Sequence, residues 1–315
     1  MNGAIAGTIE GTTALMAAME RIIQADVGRN TGPLFAAAAG GLAAAATAIA
    51  RQEHPCLGMI TGFFIPGATP PAAETDGPPG VALLAAGLSE LGIPCRLATD
   101  RACAAACTAA LGAAGLGTLP IDAMAPGAPL APLAASWRRA GVNLALAVER
   151  CGPARDGIPR TMRGLPLDAC AAPLEQLFLA GPWRRIAIGD GGNEIGMGSL
   201  PHALIARHVA NGAAIACTVP ADHLVVAGVS NWGCYALLAA LAALRPDWRA
   251  PLLAWLDPAR EQAVIEAMVR EGPAVDGVTG RPALSVDGLP MEIHHRRIRE
   301  LRALVPEMTA STSFF

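Results

Sequence analysis

The chain has 315 residues, a formal net charge of −3 and 53% hydrophobic residues, which is long enough to bury a large α/β core. All 23 Lys and Arg positions are arginine, and no basic cluster favours nucleic acid as a partner. Without lysine, the chain cannot form a Schiff base, hold pyridoxal phosphate or build a Walker-type phosphate loop.

Helical patterns alternate with short apolar segments along the chain. The predicted helices are 12–25, 33–50, 81–91, 101–113, 133–140, 202–210, 234–244, 260–271 and 292–305. The predicted strands are 57–61, 95–98, 116–119, 143–148, 186–188 and 224–226. This alternation predicts an α/β fold, a mostly parallel sheet flanked by helices, with the ligand site at the C-terminal ends of the strands.

The sequence is treated as one domain over residues 1–315, or as two closely packed lobes, with a frayed end at 309–315. The uncharged, alanine-rich segment 33–50 is expected to be a buried core helix and not a membrane span, because alanine contributes little to insertion. The eight cysteines lack the CxxC pairs of a zinc site. Reduced thiols and the lack of a signal-peptide pattern indicate a cytoplasmic protein.

The most informative segment is 189–198, which follows the predicted strand 186–188. It carries Asp190, Asn193 and Glu194 among five glycines, and oxygen donors of this kind suit Mg²⁺, Mn²⁺ or Ca²⁺. Two carboxylates in one pocket repel each other, so either a divalent ion neutralises them or one is protonated and acts as a general acid. The alternative is a glycine-rich turn whose acids cap the next helix.

A second polar group lies in the long Pro/Gly-rich loop 62–80, which follows the strand that ends at Thr61. Gly62 begins this loop, and Glu74 and Asp76 lie near its end, just before a helix. A loop of this length is usually functional. The structural alternative is an N-cap, in which Asp76 accepts hydrogen bonds from free backbone amides.

Two further loops supply polar side chains after predicted strands. Arg150 and Arg163 follow strand 143–148, and a planar guanidinium suits a substrate carboxylate. Ser230 and Asn231 follow strand 224–226 and could donate to a substrate oxygen, with Trp232 as a wall. The alternatives are solvated arginines and an ordinary helix start. The six histidines lack zinc spacing.

Five motifs together resemble the D-glutamate cyclase family, specifically its C-terminal domain, over residues 20–302. They are 61–66 (TGFFIP), 74–80 (ETDGPPG), the Glu-Arg to Met-Arg-Gly stretch 149–164, 189–198 (GDGGNEIGMG) and 228–233 (GVSNWG). The resemblance implies cyclisation of D-glutamate to 5-oxo-D-proline with loss of water. Larger relatives carry this domain after a hydro-lyase-like domain. The chain departs from the family at Cys234, where glycine is expected, and over 151–161.

The resemblance also implies roles for the site residues. We expect a divalent cation, Mg²⁺ or Mn²⁺ with Ca²⁺ as a further option, to polarise the γ-carboxylate; neither pyridoxal phosphate nor a nicotinamide cofactor is expected. Its expected ligands are Glu74, Asp76, Asp190 and Glu194. The expected catalytic residues are Asp190, Asn193 and Glu194. The expected substrate-binding residues are Thr61, Gly62, Arg150, Arg163, Gly191, Gly192, Ser230, Asn231 and Trp232.

Two other functions fit the same residues. A metal-dependent hydrolase of a phosphoester or amide would use the same acidic loop, and a non-catalytic protein could bind a small molecule or a metal there. The expected partner is an acidic amino acid, and we expect neither nucleic acid nor a membrane as a partner. The 53% hydrophobic and 16% charged composition is compatible with the buried interface of a homo-oligomer.

Overall fold

The computed structural model describes residues 2–305, with side chains from residue 11 onward. The strands are β1 (Leu57–Thr61), β2 (Phe64–Ile65), β3 (Ala72–Ala73), β4 (Cys95–Asp100), β5 (Ile121–Met124), β6 (Leu144–Val148), β7 (Arg184–Gly189), β8 (His223–Val226), β9 (Ser285–Val286) and β10 (Leu289–Pro290). The helices are α1 (Asn2–Ile23), α2 (Gly32–Ala37), α3 (Gly41–Ala50), α4 (Pro78–Glu90), α5 (Ala104–Ala113), α6 (Ala131–Arg139), α7 (Leu174–Ala180), α8 (His202–His208), α9 (Gly212–Ile215), α10 (Ser230–Leu244), α11 (Arg249–Trp255), α12 (Pro258–Arg270) and α13 (Met291–Ala303).

The central sheet has six strands in the described part of the chain, in the order β5-β4-β1-β6-β7-β8. Every neighbouring pair in it is parallel. Counted among themselves in chain order, these strands run 3-2-1-4-5-6, which is the order of doubly wound α/β folds. The order reverses between β1 and β6, so the loops after these two strands diverge and leave a crevice at their carboxyl ends. The predicted fold class is confirmed.

The two faces of the sheet bury side chains of different size. On β6, Leu146 and Val148 face the larger core, whereas Ala145 faces the smaller one. The smaller core contains the rings of α6 and α7, and Trp137 of α6 lies so close to β1 that a Cβ at Gly58 would be 2.1 Å from its ring. Small residues on this face therefore let helices with large side chains pack close to the strands.

The segment 33–50, expected to be one buried core helix, forms two helices, α2 and α3, each of which buries only one side. Gly40 has a φ of 85°, a left-handed conformation that ends α2 before α3 begins. Leu42 and Ile49 of α3 are fully buried in the larger core. Among the described residues no helix combines the length and apolar character that crossing a bilayer requires. The predicted frayed segment 309–315 lies outside the described residues.

The predicted strand at 116–119 is wrong. These residues form a turn after α5, and the strand at this edge of the sheet is β5. Leu116 and Leu119 are apolar because they pack against the larger core, where they close the end of α5. The short helices α7 and α11 and the two hairpins β2–β3 and β9–β10 were not predicted, since each is brief and lacks a periodic pattern.

Candidate active site

A cavity of about 120 Å³ lies at the carboxyl ends of β1, β6 and β7. Its walls combine apolar and charged side chains. The apolar lining includes Phe63, Ile65, Met162, Leu165 and Val278. The polar lining includes Arg29, Glu74, Glu149, Arg163, Asp190, Asn193 and Asp287. A concave site that combines apolar side chains with convergent polar groups is typical of small-molecule binding.

Three buried carboxylates meet at the base of this cavity. One oxygen from each of Asp76, Glu149 and Asp190 lies within 4.8 Å of the others. Glu149 follows β6 directly and Asp190 follows β7, whereas Asp76 comes from the loop before α4. The backbones approach closely here, because a Cβ at Gly77 would lie 2.6 Å from the Thr61 hydroxyl and 2.8 Å from the Glu149 Cβ. We call these three residues the carboxylate triad.

Asp76 of the triad caps helix α10 from a distant part of the chain. Its Oδ1 accepts from the Asn231 amide at 2.8 Å and its Oδ2 from the Ser230 amide at 2.9 Å. Burial and the Asp287 charge raise the pKa of Asp76 to about 7, although the two amides favour the ionised form. Asp76 therefore does not cap α4, the helix that follows it, as the structural alternative expected. It accepts the first amides of α10 and also belongs to the triad.

Glu149 has a backbone conformation that is uncommon for residues other than glycine, with a φ of 42°. Positive φ values in larger residues cost free energy and cluster at functional sites. The hydroxyl of Ser230 donates to Glu149 Oε2 at 2.6 Å. Burial, together with the charges of Asp190 and Glu194, raises the pKa of Glu149 well above its usual range. The fold thus holds a carboxylate where its charge is strongly disfavoured.

Asp190 is held by Arg29, which reaches the cavity from the segment between α1 and α2. Arg29 Nη1 lies 2.7 Å from Asp190 Oδ2, and its Nη2 lies 2.6 Å from Asp287 Oδ1. Its Nη1 also donates to the Gly228 carbonyl at 3.2 Å. Burial raises the pKa of Asp190 well above its usual range, and Arg29 offsets only part of this effect. One guanidinium therefore links two carboxylates that lie far apart in sequence.

The site carries more negative than positive groups. Glu74 and Asp287 line the cavity beside the triad, and Arg29, whose side chain is partly buried, lines the same cavity. Burial and the charges of Asp287 and Asp76 raise the pKa of Glu74 well above its usual range. Buried charges are usually paired or coordinate a metal, and three carboxylate oxygens suit a hard divalent cation. The donor set therefore fits a Mg²⁺ or Mn²⁺ ion at the triad.

The triad overlaps only in part with the predicted ligand set. It contains Asp76 and Asp190, adds Glu149, and leaves out Glu74 and Glu194. Glu194 instead folds back on its own loop. Its two oxygens accept from three successive backbone amides, those of residues 190, 191 and 192, at distances of 3.0, 2.6 and 2.7 Å. These three hydrogen bonds fix the conformation of the glycine-rich loop and the position of Asp190. Gly191 and Gly192 donate their backbone amides to Glu194.

The two predicted carboxylate-binding arginines have different surroundings. Arg150 is fully buried and forms a forked ion pair with Asp100. Its guanidinium also donates to the carbonyl of Gly62 at 3.0 Å, so its donors are directed into the protein. Arg163 is exposed, lines the cavity and donates to the Val278 carbonyl at 2.8 Å. Of these two arginines, the geometry therefore leaves Arg163 accessible to a ligand.

Thr61 and Trp232 are buried below the cavity. Trp232 is fully buried, and its indole nitrogen donates to His294 Nδ1 at 2.9 Å. Asn231 Oδ1 accepts from the amides of Gly77 and Gly80 at 3.0 and 2.8 Å. Asn231 thus joins the start of α10 to the start of α4. Asn193, in contrast, lines the cavity.

Sequence reasoning gave Glu149 no metal role and missed Arg29 and Asp287 altogether. Glu149 directly follows a predicted strand, which is the same signal that identified Asp190. Asp287 belongs to an Asp-Gly pair between β9 and β10, and such a pair between short apolar segments favours a two-residue hairpin. Arg29 gave no local signal, because only the folded chain brings its segment to the strand ends.

Comparison with known proteins identifies a family match and a curated relative of this chain. The model of a family described as D-glutamate cyclase-like, C-terminal, matches residues 19–302. The chain belongs to this family. It is also 34% identical over 189 residues to the human protein D-glutamate cyclase, mitochondrial, an alignment that covers 52% of this chain and 30% of that protein. The chain therefore matches less than a third of that relative's length, and the relative's name is that of an enzyme.

Proposed function

We propose that this protein is a lyase that converts D-glutamate to 5-oxo-D-proline with loss of water, assisted by a divalent metal ion. The carboxylate triad carries the proposal, because it gathers three buried acids at the base of the cavity in a chain of the D-glutamate cyclase-like family. The cavity is small and has both acidic groups and two arginines, Arg29 and Arg163, in its lining. An acidic amino acid, with one ammonium and two carboxylates, matches that mixture of charges.

The triad would hold Mg²⁺ or Mn²⁺, and the ion would supply Lewis-acid polarisation of the γ-carboxylate. Ser230 and the α10 amides orient Glu149 and Asp76 for this role through the hydrogen bonds at 2.6, 2.9 and 2.8 Å. Arg29 fixes the third carboxylate, Asp190. Pre-set ligands reduce the ordering that binding must otherwise impose.

The substrate supplies its own nucleophile, the amine. In the closure, the nitrogen attacks the carboxyl carbon of the γ-carboxylate, the ammonium loses two protons, and one γ-carboxylate oxygen leaves with them as water. Glu74 lines the cavity but lies outside the triad. Its raised pKa, caused by burial and by Asp287 and Asp76, makes it a stronger base than an exposed glutamate. Arg163 at the rim would hold the α-carboxylate.

Proton NMR of purified protein with D-glutamate, and separately with L-glutamate, tests the proposal. We expect 5-oxoproline from D-glutamate when Mn²⁺ or Mg²⁺ is present and none after chelation. Glu149→Gln should lose product and metal binding together, whereas Asp247→Asn, at the far end of α10, should retain both. Absence of product in both reaction directions, with metal bound, would overturn the cyclase and favour a metal-dependent hydrolase.

A further inference from the structure

Three buried acceptor atoms of the cavity lining have no hydrogen-bond partner among the described residues, and one of them, Oδ2 of Asp190, lies 2.7 Å from Arg29 Nη1 in an ion pair. The other two have neither kind of partner. They are Oδ1 of Asn193 and Oδ2 of Asp287. Asn193 is 1% exposed and Asp287 is 9% exposed, and both line the cavity beside the triad. A buried polar atom without a partner is costly, so a ligand with donors is expected to satisfy these two atoms.

The surrounding contacts fix which atom each side chain offers. Asn193 Nδ2 donates to the carbonyl of Arg160 at 2.8 Å, and because a carbonyl only accepts, the amide oxygen must be the free atom. Asp287 Oδ1 is held by Arg29 at 2.6 Å, which leaves Oδ2 free. The nearby Glu74 carboxylate also receives no hydrogen bond from the described side chains. The free polar atoms of this part of the cavity are therefore acceptors.

A second metal ion is a poor match for these acceptors. Among the described residues, the carboxylate triad is the group of three acidic, His or Cys ligands that lies within metal-binding distance, and Asp287 is not in it. A primary ammonium carries one charge and three diverging N–H donors, which suits separated acceptors.

We propose that Asn193 and Asp287 form a subsite for the α-ammonium group of an amino acid substrate. This inference rests on the proposed function and deepens it, because it sets the orientation of the substrate. The ammonium lies between Asn193 and Asp287, the γ-carboxylate faces the triad, and the α-carboxylate faces Arg163 at the rim. The subsite makes the amine a requirement for binding, so dicarboxylic acids without it are rejected.

Calorimetric titration of the Mn²⁺-loaded protein with D-glutamate and with glutarate, which lacks the amine, tests the subsite. We expect the wild type to bind D-glutamate at least about tenfold more tightly than glutarate, the scale of a charge-assisted hydrogen bond. Asp287→Asn should weaken the affinity for D-glutamate by about tenfold or more and leave the affinity for glutarate unchanged. Asparagine tolerates the φ of 56° at this position, so the hairpin is expected to persist.

A second variant and a control separate the subsite from a structural role. Asn193→Ala should also reduce the preference for D-glutamate, and Asp247→Asn should leave it intact. If both site variants lose affinity for D-glutamate and for glutarate equally, the subsite is overturned. It is also overturned if the wild type binds two Mn²⁺ ions and Asp287→Asn binds one. Equal affinity of the wild type for both ligands would overturn the subsite alone. Binding of neither would overturn the proposed function and the subsite with it.

Discussion

Two buried glutamates, Glu149 and Glu194, show how the groups around a carboxylate determine its role. Glu194 accepts three backbone amides of its own loop, whereas Glu149 accepts one hydroxyl and faces other acids. The amides around Glu194 lie in a fixed arrangement that only a charged acceptor satisfies fully. Glu149 is instead held in a place where its charge is unfavourable. The first residue stabilises the fold, and the second stores free energy for binding a cation.

This contrast predicts opposite effects of the same substitution. Glu194→Gln puts an amide donor against backbone donors, so the free energy of unfolding should fall by about 2 kcal/mol or more, the cost of unsatisfied groups at a charged hydrogen-bond site. Glu149→Gln keeps an acceptor for Ser230 and removes repulsion with Asp190, so the stability of the chelator-treated protein should be unchanged or higher. Denaturant unfolding in chelator measures both values. Equal losses in the two variants would contradict this division of roles.

At the scale of elements, the turn between β9 and β10 positions Asp287. Asp276 holds this hairpin: its Oδ2 accepts from the Ser285 hydroxyl at 2.7 Å and from the Gly288 amide at 2.8 Å. The Thr75 hydroxyl also donates to the Ser285 carbonyl at 2.7 Å. The hairpin is therefore tied to the loop that carries Asp76, and its tip reaches the cavity from a part of the chain that contributes no strand to the central sheet.

Asp276→Asn should loosen this hairpin without changing the triad. The substitution weakens the charge-assisted bonds to the Ser285 hydroxyl and the Gly288 amide, so amide hydrogen exchange over 285–290 should accelerate. Affinity for D-glutamate should fall several-fold, while affinity for Mn²⁺ should stay within about twofold. Asp257→Ala is the control, because it removes the side chain that caps α12, whose amides Asp257 accepts at 2.8 and 3.2 Å. It should cost about 1 kcal/mol of stability and change neither affinity.

The sequence predicted elements with long periodic patterns well and missed those whose cause lies elsewhere in the chain. The strands before Asp190 and Glu149 were predicted because continuous apolar runs identify buried parallel strands. The start of α10 was placed at Cys234, four residues late, because the acceptor for its first amides is Asp76 and no local N-cap is present. Arg29 could not be assigned for the same reason, since its partners follow β7 and β9.

At the scale of the whole molecule, the position of the triad follows from the strand order. The strand order reverses between β1 and β6, so the segments after these two strands leave toward opposite faces. Glu149 lies at this switch point, Asp190 follows the next strand, and α10 directs its N-terminal amides at Asp76. A helix N-terminus favours a carboxylate. The fold therefore brings several carboxylates together at the carboxyl ends of the strands. Their burial and mutual repulsion reduce the stability of the fold.

This loss of stability should be visible in how the free energy of unfolding depends on pH when metal is absent. The folded-state pKa of Asp76 is raised from 3.8 to about 7, so the folded protein binds this proton more tightly than the unfolded chain does. Stability must then fall as pH rises between these two values. Glu149 and Asp190, whose pKa values are also raised by burial, extend the loss to higher pH. Below about pH 5, other carboxylates lose their pairing, so the effect is best measured from pH 5 to 8.

Mn²⁺ should reverse this trend, because a metal ion binds the deprotonated carboxylates and its affinity therefore rises with pH. Binding to the folded state alone adds stability that increases with the ratio of ion concentration to dissociation constant. The difference in melting temperature between Mn²⁺ and chelator should thus widen steadily from pH 5 to 8. In Glu149→Gln the two curves should coincide, since one triad ligand is lost. If the melting-temperature curves of the wild type with Mn²⁺ and with chelator run parallel across this range, the triad does not bind the ion. The buried carboxylates would then need another positive charge to neutralise them.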